Sequence, residues 1–251
     1  MNLVIPGAPP AAPHIGFDRF IPLAWAGLAL RVRAGLEPAE ALPALLAREV
    51  PGQAGRSKSR AILRGLWLEP RPGLEEFADR GAALAARASE QDGGPVAAVL
   101  CWGMAMAAYP FFGKVAESIG RLLALQGDST RTELHRRVAE VYGERETAYR
   151  AANRVLQTQA DWGGLTWQAR GQRVSRPEAL DIADEALIVW LIEALVRYGG
   201  RAVAVAAVPS APALYPFRLE GSLTYLISRC PHLALRTDGG GGYSVSRKVE
   251  M

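Results

Sequence analysis

The sequence is poor in lysine and cysteine and carries little net charge. Its lysines are Lys58, Lys114 and Lys248, so arginine supplies 26 of the 29 basic residues. Cys101 and Cys230 stand alone and lie in no CxxC pair, which excludes a disulfide framework and a cysteine zinc site and fits a reducing cytoplasm. Hydrophobic residues make up 49% and charged residues 22%, so the chain is neither disordered nor fibrous and can bury a core.

The preference for arginine has two interpretations. Arginine forks hold phosphate groups and guanine edges at two points, better than lysine does, so the preference suits a nucleic-acid partner. A GC-rich bacterial genome would produce the same alanine- and arginine-rich composition without any such partner. The net charge of +4 permits an anionic partner without requiring one.

One long stretch, Gly93–Gly113, has no charged residue. It is nearly long enough to cross a bilayer, but it is rich in alanine and glycine and is interrupted by Pro95 and Pro110. A buried central helix is therefore the favoured interpretation, and a membrane helix is the alternative. The segment Met1–Pro13 has no basic region ahead of an apolar run, which excludes a secretory signal and indicates an extended leader.

Apolar residues recur at helical spacing through most of the chain, and short alternating stretches stand between them. This pattern predicts a mainly α fold with short β-hairpins. We expect a flexible leader at 1–15, a helical domain at 16–113, a compact unit at 114–177 and a C-terminal helix with a hairpin at 178–251. The predicted helices span Phe17–Arg33, Pro38–Glu49, Ser57–Trp67, Leu74–Ser89, Val115–Leu125, a segment from Arg131 to Gly143, Glu144–Ala160, Pro177–Arg197 and Leu219–Arg229.

The most informative stretch is Lys114–Arg176. Thr130 and Glu133 have the spacing of a capping box, which starts a helix. After the next helix, Leu165–Ser175 alternates apolar and polar residues around a turn at Arg170-Gly171, which indicates a β-hairpin. Three helices followed by a hairpin is the order of elements in the winged helix-turn-helix superfamily, which this quarter of the chain resembles.

The resemblance implies that helix Glu144–Ala160 enters the major groove of DNA and that Leu165–Ser175 is the wing. The spacing of the polar residues places one group on a single helix face opposite the apolar stripe. Arginine can bridge guanine, and asparagine or glutamine can bridge adenine, so this face could read bases. An ordinary solvated face has the same composition. The candidate contact residues are Tyr149, Arg150, Asn153, Arg154 and Gln157.

Further cations surround this helix in the sequence. Between Lys114 and Arg176 there are eleven basic and seven acidic residues, an excess of four that equals the charge of the whole chain. Such an excess would neutralise phosphates and make binding sensitive to salt. The candidate phosphate contacts are Arg131, Arg136 and Arg137 on the preceding helix and Arg170 and Arg173 at the wing.

A second basic cluster opens the third helix of the N-terminal group. It consists of Arg56, Ser57, Lys58, Ser59 and Arg60, with Arg64 one turn further on. Exposed backbone N–H groups, hydroxyls and cations at a helix start suit a phosphate, and the group could itself be helix-turn-helix-like. A solvated helix start is the alternative.

No residue pattern points to catalysis. His14, His135 and His232 are isolated, and Gly239–Gly242 lacks the Lys-Ser/Thr of a phosphate loop. We therefore expect no cofactor and no metal. The favoured hypothesis is a non-catalytic, cytoplasmic protein that binds double-stranded DNA, as a regulator or as the DNA-engaging subunit of a bacterial system such as phage defence. A scaffold that uses winged-helix units to hold protein partners, such as ones encoded in the same operon, is the second hypothesis, and a membrane-associated protein is the third.

Overall fold

The computed structural model describes residues 13–88 and 93–248. Over these residues the chain is mainly helical with small sheets, as the sequence predicts. Most of the predicted leader lies outside the described residues. The α-helices are α1 (Leu23–Arg33), α2 (Ala41–Glu49), α3 (Gln53–Leu63), α4 (Glu75–Arg87), α5 (Gly93–Ala108), α6 (Pro110–Gln126), α7 (Arg131–Tyr142), α8 (Glu146–Asp161), α9 (Glu185–Gly199) and α10 (Leu223–Arg229).

The strands form two antiparallel sheets and one short parallel pair. They are β1 (Asp128–Thr130), β2 (Thr166–Gln168), β3 (Arg173–Ser175), β4 (Leu180–Ile182), β5 (Val203–Ala204), β6 (Phe217–Leu219), β7 (Leu233–Thr237) and β8 (Tyr243–Arg247). The first sheet has the order β1-β3-β2 and the last has the order β5-β8-β7, while β4 pairs with β6. Both predicted hairpins, β2–β3 and β7–β8, are confirmed.

Several helix boundaries differ from the sequence prediction because of proline and capping residues. Helix α1 begins at Leu23 rather than at residue 17, because Pro22 sits at its N-cap and fixes an extended entry. The predicted helix Pro177–Arg197 is wrong in its first part. Residues 180–182 form β4, and α9 starts only where the Asp184 side chain accepts a hydrogen bond from the backbone N–H of Leu187.

The capping box that starts α7 is confirmed. The Thr130 hydroxyl accepts a hydrogen bond from the Glu133 backbone N–H at 3.2 Å, and the Glu133 carboxylate accepts one from the Thr130 N–H at 2.7 Å. These bonds satisfy two backbone donors at the helix start. Because the carboxylate takes the Thr130 N–H and a further bond from Gln126, the pKa of Glu133 falls to about 2.

The uncharged stretch forms α5 and the first turn of α6, and α5 lies in the core as the favoured interpretation predicts. Its side chains from Val99 to Ala107 are almost fully buried. The helix ends before Pro110, and α5 and α6 then meet at a bend of 114°. Among the described helices, none is by itself long and apolar enough to cross a membrane, although the bent pair passes on length and composition when taken together.

One hydrophobic cluster runs through all the described parts of the chain. The N-terminal segment reaches α8, because the Ile21 N–H donates to the Thr158 hydroxyl and the Ile21 carbonyl accepts from the Trp162 indole. Helix α6 packs through Gly120 against the short 3₁₀ turn that begins at Pro212. The predicted unit at 114–177 therefore shares its core with its neighbours.

Candidate nucleic-acid interface

Among the candidate residues of helix α8, Arg150 and Arg154 are exposed, and Tyr149, Asn153 and Gln157 are half-buried. The opposite face of the helix is buried and consists mostly of alanine, valine and leucine. The Arg150 side chain is 70% exposed, and its Nε lies 3.3 Å from Oε1 of Glu146. Arg154 is also exposed, and its guanidinium donates to Oε1 of Gln157 at 3.0 Å. Exposed pairs of this kind are weak, so a phosphate could replace the Glu146 carboxylate beside Arg150 or the Gln157 amide beside Arg154.

Two half-buried side chains of α8, Tyr149 and Asn153, contact α7. Nε2 of His135 lies 3.1 Å from Oδ1 of Asn153, and the rings of His135 and Tyr149 stack at 4.7 Å. An amide side chain bridges adenine with its oxygen and its nitrogen together. Because the oxygens of Asn153 and Gln157 already have partners, adenine readout would require opening each contact at about 0.5–1.5 kcal/mol.

The β2–β3 hairpin uses one of its two arginines for its own packing. Both carboxylate oxygens of Asp128 accept hydrogen bonds from Arg173, with Nε at 2.9 Å from Oδ2. This pairing lowers the pKa of Asp128 and raises the pKa of Arg173. Arg170 stands exposed at the tip in the left-handed region, with φ at 55°. The hairpin thus presents Arg170 outward and keeps Arg173 against β1.

The arginines of α7 also include one that packs within the protein and others that are exposed. The guanidinium of Arg131 lies 5.0 Å from the centre of the Trp167 ring, which fixes the helix start against the hairpin. Arg137 is exposed and pairs with Glu140 at 2.9 Å. Arg136 is exposed beside a shallow cavity of about 550 Å³ between α7 and α8, and within residues 13–88 and 93–248 it has no ion pair.

Five of the candidate arginines in this segment are exposed, and four of them lie on α8, beside the cavity between α7 and α8, or at the hairpin tip. The fifth, Arg137, borders the groove between α6 and α7 instead. We call the first four the outward arginines: Arg136 on α7, Arg150 and Arg154 on α8, and Arg170 at the hairpin tip.

The second basic cluster lies inside α3 rather than at its start. The helix begins at Gln53, and the Arg56 N–H already donates to the Gly52 carbonyl, so the cluster has no free backbone donors of the expected kind. Ser59 is buried, and Arg64 pairs with Glu69.

The other four members of the cluster differ in their contacts. Arg56 donates to the Val50 carbonyl and to Gln53. Ser57, Lys58 and Arg60 remain exposed on the helix. A phosphate bound here would rest on these side chains alone.

The sequence pattern did not single out three residues that shape this candidate surface: His135, Trp167 and Asp128. His135 follows Arg131 by four residues, so helical spacing alone could have placed it on the same face of α7. Trp167 and Asp128 act on partners in other elements, and no local spacing signals these contacts.

Within the described residues, no group of three or more histidine, cysteine, aspartate or glutamate side chains could hold a metal ion. Comparisons with family models, with curated proteins and with solved structures find no match to this chain.

Proposed function

We propose that the protein binds double-stranded DNA, without a catalytic step, through α8 and the β2–β3 hairpin. The order of elements from α6 to β3 is helix, strand, helix, helix, hairpin, and the sheet order is β1-β3-β2. This arrangement resembles a winged helix-turn-helix unit, in which the third helix enters the major groove. This resemblance in the order of elements supports the proposal, and the charged side chains on the surface give the main argument for it.

The observation that carries the proposal is the exposure of the outward arginines on α8, at the hairpin tip and on the neighbouring α7. Arg150 and Arg154 lie one turn apart on α8, and their partners are weakly held surface groups. Arginine binds phosphate at two points in a fixed geometry. Because the Asn153 oxygen already contacts His135 of α7, binding would rest on phosphates more than on base edges.

The strength of the salt effect follows from the number of arginines. If each outward arginine neutralises one phosphate, the affinity should fall about 150-fold between 50 and 200 mM salt. Losing two of the four contacts should reduce that ratio to about 12-fold.

The test measures binding of a mixed-sequence 24-base-pair duplex by fluorescence anisotropy at both salt concentrations. The Arg150→Ala/Arg154→Ala variant should bind more weakly at 50 mM and show the smaller salt ratio. Arg48→Ala/Arg218→Ala is the matched control. Those arginines are 74% and 62% exposed and pair with carboxylates, but they lie on α2 and β6, outside the proposed DNA-binding surface. Undiminished binding by the α8 variant, or equal losses in both variants, would reject the assigned face.

A protein-interaction scaffold is the second candidate, and one apolar side chain favours it. Leu125 near the end of α6 is 82% exposed and borders a groove that also contains Arg137 and Glu140. A partner docked in this groove would cover Leu125 and remove its apolar surface from water. Light scattering would support this role if the molar mass of the wild type exceeds that of one chain and the Leu125→Ser variant has the mass of a single chain. A single-copy mass for the wild type counts against self-association through this groove.

A further inference from the structure

A second basic surface lies far along the chain from α8, in a cleft between α4, the end of α9 and the base of the β7–β8 hairpin. Its volume is about 610 Å³, within the range of about 300–1,000 Å³ of small-molecule sites. We call it the arginine cleft. Its cationic side chains are Arg80, Arg197, Arg201, Arg247 and Lys248.

A buried ion cluster forms the floor of the arginine cleft. Glu193 is only 3% exposed and accepts hydrogen bonds from Arg80 at 2.6 Å and from Arg197 at 2.8 Å. The Arg197 side chain is itself 9% exposed, and it also donates to the Gly73 carbonyl. One carboxylate therefore faces two guanidinium groups, which leaves a positive charge beneath the cleft surface.

The charge of the whole cleft is also positive. Five cationic side chains face the carboxylates of Glu75, Glu76 and Glu193, an excess of two. Helix α9 ends here, and the C-terminus of a helix carries about half a negative charge. This partial charge offsets only part of the two excess positive charges in the cleft. Arg201 and Arg247 are exposed, and no described residue forms an ion pair or side-chain hydrogen bond with either guanidinium.

The cations repel one another. Burial lowers the pKa of Arg197, the carboxylate of Glu193 opposes that shift, and the charges of Arg247 and Arg80 add to the lowering. A bound anion would stabilise all of these guanidinium groups together, because it supplies the negative charge that the cleft lacks.

We propose that the arginine cleft binds a small molecule that carries phosphate groups. Arg201 and Arg247 would hold the phosphates at the mouth, above the Arg80–Glu193–Arg197 cluster. A single phosphate would fill a small part of 610 Å³, so the cleft suits a chain of phosphates or a phosphate with an organic group. This site uses none of the residues assigned to the DNA-binding surface.

The test is isothermal titration of the full chain with tripolyphosphate at constant ionic strength, compared with Arg201→Ser/Arg247→Ser. The double variant should bind at least tenfold more weakly. Arg236→Ser is the control, because Arg236 is an exposed arginine on the same hairpin that does not line the cleft. It should bind within twofold of the wild type. Both mutated positions are exposed, and equal unfolding temperatures without ligand will show that the fold is intact.

Two results would overturn the proposal. One is millimolar or weaker binding of tripolyphosphate by the wild type, and the other is equal binding by all three proteins. Duplex DNA binding by the cleft variant separates this site from the proposed function. If the variant loses DNA affinity and the wild type does not bind tripolyphosphate, the cleft is part of the DNA surface and the small-molecule site is rejected. If the cleft variant binds DNA normally but no longer binds tripolyphosphate, the result supports the small-molecule site.

Discussion

Helix α6 approaches the turn at Pro212–Leu214 so closely that only glycine fits at position 120. A methyl group on Gly120 would overlap the Pro212 carbonyl, with the carbonyl carbon at 2.8 Å. The turn cannot yield easily, because its Ala213 carbonyl accepts a hydrogen bond from the Trp102 indole and the side chains of Ala213 and Leu214 are buried. Gly120→Ala should therefore force the helix and the turn apart by about 1 Å, given ordinary contacts of 3.5–4.0 Å.

Two opposing terms set the size of the effect. Alanine favours a helix over glycine by about 1 kcal/mol, whereas overpacking a core costs about 1–3 kcal/mol. Because the clash involves backbone on both sides, the larger cost applies and the net loss should be about 2 kcal/mol. For a chain of this size that corresponds to roughly 4–8 °C in the unfolding temperature.

The assay is thermal unfolding followed by circular dichroism, with Gly199→Ala as the matched control. Gly199 ends α9, and no atom lies within 4 Å of the position a methyl group would occupy. That variant should be as stable as the wild type or more stable by up to about 1 kcal/mol. If Gly120→Ala unfolds at the wild-type temperature or above it, the close packing of α6 on the Pro212 turn is wrong.

Two further predictions concern the capping box and the thiols. Thr130→Ala removes the hydroxyl that accepts the Glu133 N–H, so urea unfolding should show a loss of about 1 kcal/mol. Because the folded pKa of Glu133 is about 2, below its unfolded value near 4.5, this carboxylate should stabilise the protein fully above pH 4.5 and progressively less as the pH falls toward 2. Urea midpoints that stay constant from pH 5 to 2.5 would contradict this. With a thiol reagent, native protein should react at Cys230 and not at Cys101, whose complete burial raises its pKa to about 12, and denatured protein should react at both.

The sequence predicts those parts of the fold that depend on neighbouring residues. The capping box at Thr130 and both hairpins follow from local spacing, alternation and glycine turns. The strand β4 could not be predicted, because Leu180–Ile182 pairs with residues about 37 positions away and its own residues resemble a helix start. Parallel pairing over such a distance leaves no local pattern.

In the candidate site, too, some features follow from neighbouring residues and others depend on distant parts of the chain. The outward face of α8 follows from residues three and four apart, which helical geometry places together. The partners that occupy Asn153 and Arg173 come from α7 and β1, so the sequence could not show that these side chains are engaged. Residue type and spacing therefore predicted which side chains lie near the surface, and tertiary contacts decide which of them are free to bind.

The bonds between Ile21 and α8 have a consequence for the order of folding. The Ile21 N–H and the Thr158 hydroxyl are separated by 137 residues along the chain. At a synthesis rate of about 5–20 residues per second, Ile21 must wait roughly 7–27 seconds for its partner to be made. During that interval the entry to α1 lacks the contacts that α8 provides, so this short segment reaches its native packing only after α8 has been made.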